Sequence, residues 1–143
     1  MPIRILFPVD KRLGSVRTLN FLIANKEIYN PVVNLVHVLD FSQLEWHGII
    51  PEYQDQIRET ATKVAEKFVE EFKEKLEKND IYVENTIIVE GEAGKAICEE
   101  ADRLSVDLIT ISPNNKSEIT NIIFGSVTHY VIHNSNCPVL IVK

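Results

Sequence analysis

The side chains that could take part in chemistry stand at the ends of short apolar segments. Asp10 follows the segment IRILFPV, where its carboxylate could bond to the polar groups of a small ligand. Gly125 and Ser126 precede a segment of helical character, and the free N–H groups at the start of a helix attract anions. These residue types predict a site for a polar or anionic small molecule.

Both features also have an explanation that requires no ligand. Asp10 can cap the turn DKRLGS, which needs a polar residue in either case. Ser126 can act as the N-cap of the last helix, because a serine hydroxyl accepts a hydrogen bond from the first turn. The sequence alone leaves both alternatives open.

Metal binding and nucleophilic catalysis are not predicted. His129 and His133 have the spacing of paired metal ligands, but no Glu lies between them in the HExxH manner and no third ligand is evident, so we expect a solvated helix face. Cys98 alternates with apolar helix positions like a small buried hydrophobic residue. Cys137 has neither a base nor a resolving cysteine near it. His37 lies inside an apolar strand and is expected to be hydrogen-bonded at or near the core.

The composition argues against several functional classes. The chain has 143 residues, of which 15 are basic and 21 acidic, and its net charge of −6 gives no general attraction to nucleic acids. No apolar segment approaches the roughly 20 residues of a membrane span. The start, MPIRILFPVDKR, lacks the features of a secretory signal. Two cysteines without close partners indicate a reducing cytoplasm, and the length predicts one domain over residues 1–143.

Apolar segments predict five strands, at residues 3–9, 32–39, 81–89, 106–111 and 138–142. Most are continuously apolar, as in strands buried on both faces of a parallel sheet, whereas the third alternates like an edge strand. Helical segments separate the strands, and Ser15 is expected to cap the first helix. After a long connection (residues 40–53), an amphipathic helix of about 40 Å is predicted near residues 52–78. Because strands are only about 20 Å long, one end of that helix should overhang the sheet.

Strands that alternate with helices predict a doubly wound α/β domain with a parallel sheet and helices on both faces. In such domains ligands bind beyond the carboxyl ends of the strands, where the winding direction reverses. The candidate segments are therefore residues 8–10, 38–40, 90–92 and 112–115, together with the start of the last helix.

Four segments, in this order and spacing, resemble the universal stress protein family: ILFPVD, LVHVLD, VEGEAGKAICEEADRLSVDLITIS and FGSVTHYVIHNSNCPVLIVK. The resemblance covers essentially the whole chain. It implies an adenine nucleotide alpha hydrolase-like fold with five parallel strands in the order 3-2-1-4-5, usually as a homodimer. Some members of the family bind ATP and others do not.

In ATP-binding members, the resemblance implies a phosphate loop with the pattern Gly, two residues, Gly, nine residues, then Gly followed by Ser or Thr. Gly125 and Ser126 match its end, but Ser112 and Asn115 stand at the positions of the first two glycines. Pro8, Asp10 and Val38 fall where such members contact the base and its surroundings. The candidate nucleotide cleft therefore comprises Pro8, Val9, Asp10, Val38, Ser112, Asn115, Gly125, Ser126 and Val127.

The departures from the glycine pattern predict weak binding of ATP. Glycine lets backbone amides approach phosphate oxygens, whereas side chains at Ser112 and Asn115 take up that space. Pro113 has no N–H to donate. Hydrogen bonds to charged groups contribute about 1.5–3 kcal/mol each, so losing one or two weakens binding roughly 10-fold to several thousand-fold. Lys116 would recover part of this as a point charge. ATP remains the candidate cofactor.

Our first interpretation is a stress-response homodimer that acts by binding and regulation rather than by catalysis. The alternative is an ATP-binding member with slow or no hydrolysis, in which the nucleotide acts as a switch. A more distant alternative is an enzyme that uses the cleft for another adenine-containing or anionic ligand. An apolar strand that begins at Pro138 and ends at Val142 predicts pairing with a second copy at the sheet edge. No nucleic-acid or membrane partner is predicted.

Overall fold

The computed structural model describes residues 1–11, 13–42, 44, 46–113 and 125–143. Five strands form one sheet in the order β3-β2-β1-β4-β5, and every neighbouring pair is parallel. The strands are β1 (Ile3–Pro8), β2 (Pro31–Leu39), β3 (Tyr82–Glu90), β4 (Leu108–Ile111) and β5 (Val139–Ile141). The predicted strand order is confirmed, and β3 lies at an edge as its alternating pattern indicated.

The described helices are α1 (Leu13–Ala24), α2 (Lys26–Tyr29), α3 (Pro51–Lys78), α4 (Ala93–Leu104) and α5 (Ser126–Asn134). Helices α1 and α3 pack on one face of the sheet, where Leu22 and Phe72 join one buried cluster. Helices α4 and α5 pack on the other face, where Ile97 and Val131 join a second cluster. The sheet is therefore covered on both sides, as the alternation of strands and helices predicted. None of the described helices has the length and apolar character needed to cross a membrane.

Strand β1 lies at the centre of the sheet and contributes to both clusters. Ile5 and Phe7 face α1 and α3, whereas Leu6 faces α4 and α5, and all three are buried. Alternate side chains of a strand point to opposite faces, so a strand covered on both sides is apolar throughout. The ring of Phe7 meets that of Phe72 edge-on, with 5.9 Å between the ring centroids.

Helix α3 is longer than the strands that it covers. It has 28 residues, so it is about 42 Å long. Its buried residues begin at Ala65, while Tyr53 and Ile57 near its start are exposed. The predicted overhang is confirmed. Arg58 attaches the overhanging part to the preceding connection, because its guanidinium lies 4.8 Å from the centroid of the Trp46 ring.

Several boundaries differ from the predictions for local reasons. Ser15 is not the N-cap of α1: the helix begins at Leu13, and the Ser15 hydroxyl accepts a hydrogen bond from the N–H of Asp10 at 2.9 Å. Strand β4 begins at Leu108 because the N–H of Val106 turns back to the last turn of α4. Strand β5 spans three residues rather than the predicted five.

Candidate functional site

A cleft of about 770 Å³ opens at the carboxyl edge of the sheet, beyond the ends of β1, β2 and β4. Strands β1 and β4 are neighbours in the sheet although β2 and β3 lie between them in the sequence. The winding direction reverses at this point, which is where ligands bind in such sheets. The cleft brings together eight of the predicted residues: Pro8, Val9, Asp10, Val38, Ser112, Gly125, Ser126 and Val127. Asn115 lies outside the described residues.

The end of β1 presents an apolar residue and then an acid to the cleft. Val9 is buried, and its N–H donates to the carbonyl of Val36 at 2.8 Å. Asp10 turns towards α1, where its carboxylate accepts a hydrogen bond from the Ser15 hydroxyl at 3.3 Å. Asp10 therefore stabilises its turn and also lines the cleft, so the two explanations offered by its sequence position are compatible.

His37, near the end of β2, is held by hydrogen bonding and by packing. Its Nδ1 lies 2.7 Å from the carbonyl oxygen of Val9, and its ring meets the ring of Phe68 edge-on, with 4.7 Å between the centroids. The residue is half-buried and lines the cleft. The prediction of a hydrogen-bonded histidine near the core is confirmed.

Asp40, just after β2, connects the strand to the start of α4. Its Oδ1 accepts a hydrogen bond from the N–H of Ser42 at 2.9 Å, and its Oδ2 accepts one from the N–H of Ala93 at 3.1 Å. Hydrogen bonding from the side chain and backbone of Ser42, followed by that from Ala93, lowers the pKa of the Asp40 carboxyl below its ordinary value of 3.8 against an opposing effect of burial. The carboxylate therefore stays ionised and fixed at neutral pH.

Ser112, just after β4, forms hydrogen bonds at the end of the sheet. Its hydroxyl donates to the carbonyl of Val142 at 2.5 Å and lies 3.0 Å from the hydroxyl of Thr18. Pro113 beside it is buried, and its carbonyl accepts a hydrogen bond from the Arg17 guanidinium. This corner of the cleft is thus held by side chains of α1 and by the chain after β5.

The start of α5 forms the opposite wall. Gly125 is the N-cap, in an extended conformation (φ −69°), so the prediction that Ser126 caps this helix is wrong. A methyl group built at Gly125 would meet nothing within 4 Å among the residues that the structure describes. Among the described residues no side chain caps the helix, and Gly125 to Thr128 line the cleft, so the first-turn N–H groups that no described side chain engages are available to an anion.

Asp40, in the candidate segment 38–40, lines the cleft as expected, although it was not among the residues named for the nucleotide cleft. Thr18, Ser42, Ala93 and Thr128, which the sequence did not indicate, also line it. Thr18 is a buried polar residue among the apolar positions of α1. Only the folded chain shows that its hydroxyl meets that of Ser112, just after β4.

Candidate metal ligands and nucleophiles stand apart from this cleft. His129 and His133 are exposed on α5 with their rings stacked, 5.6 Å between the centroids. In the part of the chain that the structure describes, no three metal-ligating side chains come together. Cys98 is 9% exposed, and burial raises the pKa of its thiol, in agreement with its prediction as a buried apolar-like residue. Cys137 is half-buried, and both thiols are free.

Known proteins are similar to this chain in sequence and in fold. The sequence model of the universal stress protein family matches residues 1–143. Universal stress protein YxiE of Bacillus subtilis is 36% identical over 98% of each chain. Universal stress protein MJ0577 of Methanocaldococcus jannaschii is 29% identical over 98% of this chain and 94% of its own length.

Solved structures agree with the sequence comparison. The structure of MJ0577 has a TM-score of 0.83 and covers 100% of this chain, with 96% of its own chain matched at 30% identity. The structure of the universal stress protein from Archaeoglobus fulgidus in complex with dAMP has a TM-score of 0.64 at 24% identity, over 99% of this chain and 98% of its own, which shows the shared fold. Because the family model spans the chain from its first residue to its last, and relatives match along its length, this protein belongs to the universal stress protein family.

Proposed function

We propose that this universal stress protein is a regulatory binding protein, not a catalyst. It binds an adenine nucleotide weakly, and the second and third phosphates of a triphosphate add little to the affinity. The observation that supports this most is the engagement of Ser112, whose hydroxyl bonds to Val142 and lies against Thr18. A side chain fixed in this way belongs to the end of the sheet rather than to a phosphate cradle. Pro113, which follows it, has no N–H for a phosphate oxygen.

The chemistry around the cleft suits a nucleotide with one phosphate. Val9 and Val38 offer apolar surface to a base, and Asp10 offers a carboxylate to sugar hydroxyls. The first turn of α5 offers N–H groups to a phosphate, next to the open space at Gly125. The universal stress protein from Archaeoglobus fulgidus, which has a related fold, has been solved in complex with dAMP. These features support AMP-like ligands for this chain.

The bonding of the titratable groups in the cleft supports binding rather than turnover. His37 is engaged with the Val9 carbonyl, and Asp40 accepts hydrogen bonds from two backbone N–H groups. Both oxygens of Asp40 and the Nδ1 atom of His37 are used in this way, so these bonds hold the two side chains against the cleft walls. We therefore propose that the ligand alters contacts with other molecules and is released unchanged.

Thermal unfolding with AMP, Mg-ATP and adenosine tests this proposal. A ligand at 100 times its Kd adds about 2.7 kcal/mol to the free energy of unfolding, which raises Tm by several degrees. We expect millimolar AMP and Mg-ATP to give similar, modest shifts. Gly125→Val places a branched side chain in the open space and should abolish both shifts, while His133→Val adds the same side chain to an exposed position of α5 and should preserve them. No release of nucleotide is expected when the purified protein is denatured.

The second candidate is an ATP-dependent switch, which is favoured by the start of α5, because Gly125 and Ser126 match the end of the ATP-binding pattern and line the cleft. A shift with Mg-ATP at least several times that with AMP, or ATP released on denaturation, would establish it in place of our proposal. The double variant Ser112→Gly, Asn115→Gly restores the glycine pattern of ATP-binding members. We expect it to bind Mg-ATP more tightly than the natural chain does; equal affinity would mean that these side chains do not limit binding.

We further propose that two copies pair through the free edge of β5 and that the protein works in the cytoplasm. Within the part of the chain that the structure describes, strand β5 is hydrogen-bonded on one side only, to β4. The carbonyl of Pro138 and the N–H of Val142 bond to β4, so the backbone groups of Val139 and Ile141 point to the outer edge. An unpaired edge of this kind pairs readily with another strand. The two free thiols support a reducing compartment.

A further inference from the structure

A second groove, of about 550 Å³, lies between α1 and α3. We call it the α1–α3 groove. Its apolar surface comes from Val16 on α1 and from Val64, Phe68 and Phe72 on α3, and its charged rim consists of Asp10, Lys11, Lys67, Glu71 and Lys75. The groove opens on the side of β1 that faces α3, so its space is separate from the nucleotide cleft, although Asp10 borders both.

The apolar part of the groove is incompletely covered by the protein. Val16 and Val64 are 41% and 42% exposed, whereas Phe68 and Phe72 are buried and present only their ring surfaces. Removing apolar surface from water contributes about 25 cal/mol per Å². A ligand that covers the two valines and the ring surfaces would therefore gain binding energy from an apolar body.

The charged rim favours an anionic head group. The Lys11 ammonium lies 5.9 Å from the centroid of the Phe68 ring, and that of Lys75 lies 6.0 Å from the Phe72 ring centroid. Among the described residues, Lys11, Lys67 and Lys75 form no ion pair. Three lysines face two acids, Asp10 and Glu71, so this rim is positive on a chain whose net charge is −6.

The arrangement of the rim places the head group at one end. Lys11 lies over the Phe68 ring, and Lys67, which precedes Phe68 on α3, also lines the groove. Phe72 is one helical turn further along α3, and its ring extends the apolar surface away from them. Lys75 lies over the Phe72 ring, so the Phe68 end of the groove has two lysines and the Phe72 end has one, and the Phe68 end offers more ammonium groups to an anion.

We propose that the α1–α3 groove binds a small anionic amphiphile, with its carboxylate or similar group between Lys11 and Lys67 and its aliphatic or aromatic body along Val64, Phe68 and Phe72. The volume of the groove lies within the range of about 300–1,000 Å³ that is typical of small-molecule sites. The proposal does not depend on which nucleotide the other cleft accepts.

Isothermal titration calorimetry of the full chain with decanoate, below its micelle concentration, tests the proposal. We expect one decanoate per chain, with an affinity that falls in high salt because the charges are exposed to solvent. Lys67→Glu should weaken binding at least 10-fold. Lys63→Glu makes the same charge change one turn earlier on α3, outside the groove, and should change the affinity less than twofold. Val64→Gln should also weaken binding, because it removes exposed apolar surface from the groove.

Two further measurements locate the site and its charge preference. Gly125→Val obstructs the nucleotide cleft and should leave decanoate binding unchanged. Decyltrimethylammonium has the same apolar chain with a positive head, and should not bind measurably. The proposal would be overturned by equal affinity for the two amphiphiles, by decanoate binding that survives Lys67→Glu but is lost in Gly125→Val, or by no binding at millimolar concentration.

Discussion

Gly94 determines how closely α4 approaches α5. A Cβ atom built at this position would lie 2.8 Å from the Cβ of Tyr130 and 2.9 Å from two atoms of its ring. Carbon atoms cannot approach so closely, so one of the two helices would have to move. The Cβ of Tyr130 is bonded to the backbone of α5 and cannot turn away. The requirement for glycine here is therefore one of space, because the position lies within a regular helix.

We predict that Gly94→Ala destabilises the protein. Overpacking costs about 1–3 kcal/mol, and the better helix propensity of alanine returns roughly 0.5–1 kcal/mol of that. With both effects at the middle of their ranges, the net loss should be about 1 kcal/mol by urea unfolding. Lys95→Ala, at the neighbouring exposed position, serves as the control and should lie near the natural stability. A Gly94→Ala protein as stable as the natural one would show that the two helices separate freely.

Asp40 provides a pH-dependent contribution to stability. Its folded pKa lies below the ordinary value, so the unfolded carboxyl takes up protons first as the pH falls. The contribution is therefore fully present above about pH 4 and is lost as the pH falls through the folded pKa. Both oxygens are used, one by Ser42 and the other by Ala93 at the start of α4.

We predict that Asp40→Ala lowers the free energy of unfolding by about 0.5–2 kcal/mol at neutral pH, as the loss of a helix cap does. The difference from the natural protein should shrink as the pH falls from about 4 through the lowered folded pKa of Asp40. Asp40→Asn retains one acceptor oxygen and should fall between the two. Urea unfolding at several pH values gives the free energy of unfolding of the natural protein and the two variants. If the difference between the natural protein and Asp40→Ala does not change with pH, the ionised carboxylate does not stabilise the fold in this way.

At the scale of elements, the overhanging start of α3 is held by Arg58. Its Nε donates to a carboxylate oxygen of Glu90, at the end of β3, at 2.7 Å. The same guanidinium lies 4.8 Å from the centroid of the Trp46 ring and 5.9 Å from that of Phe41. One side chain thus joins the connection after β2, the helix and the edge strand. Because Asp40 and Ser42 of that connection line the cleft, Arg58 also stabilises a cleft wall.

We predict that Arg58→Ala exposes Trp46 to solvent. Acrylamide should quench the fluorescence of this single tryptophan more strongly than in the natural protein. Arg58→Lys should not restore the natural value, since an ammonium lacks the planar group that stacks on a ring while donating to a carboxylate. Glu59→Ala, at the next position, is the control. Unchanged quenching in Arg58→Ala would mean that the connection is held by other contacts.

The strands and helices were easier to predict from the sequence than the contacts between them. Continuous apolar segments identified the strands, because a central strand such as β1 is buried on both faces. The contacts that shape the cleft join distant positions: Ser112 and Thr18 are 94 residues apart, and Ser112 and Val142 are 30 apart. No local pattern encodes such pairs. The Ser15 cap was wrong for a related reason, because the hydroxyl bonds to Asp10 rather than to its own helix.

At the scale of the whole molecule, the edge of β5 leads to a prediction about assembly. In an antiparallel pair of two β5 strands, Leu140 is the central residue and lies close to its own copy across the two-fold axis. Light scattering should give about twice the chain mass of 16.3 kDa for the natural protein. Leu140→Lys brings two like charges together and should give a single-chain mass with an unchanged circular dichroism spectrum. A natural protein of single-chain mass at micromolar concentration would exclude this pairing.

Asp10 connects the two binding spaces, so each of the two ligands can affect the binding of the other. Asp10 borders both the nucleotide cleft and the α1–α3 groove, and Phe68 of the groove packs against His37 of the cleft. Ligands in the two spaces are therefore separated by Asp10 and by the contact between Phe68 and His37. If decanoate alters the Kd for AMP by some factor, thermodynamic reciprocity requires AMP to alter the Kd for decanoate by that same factor. Titrating each ligand in the presence of the other gives the size and sign of this cooperativity.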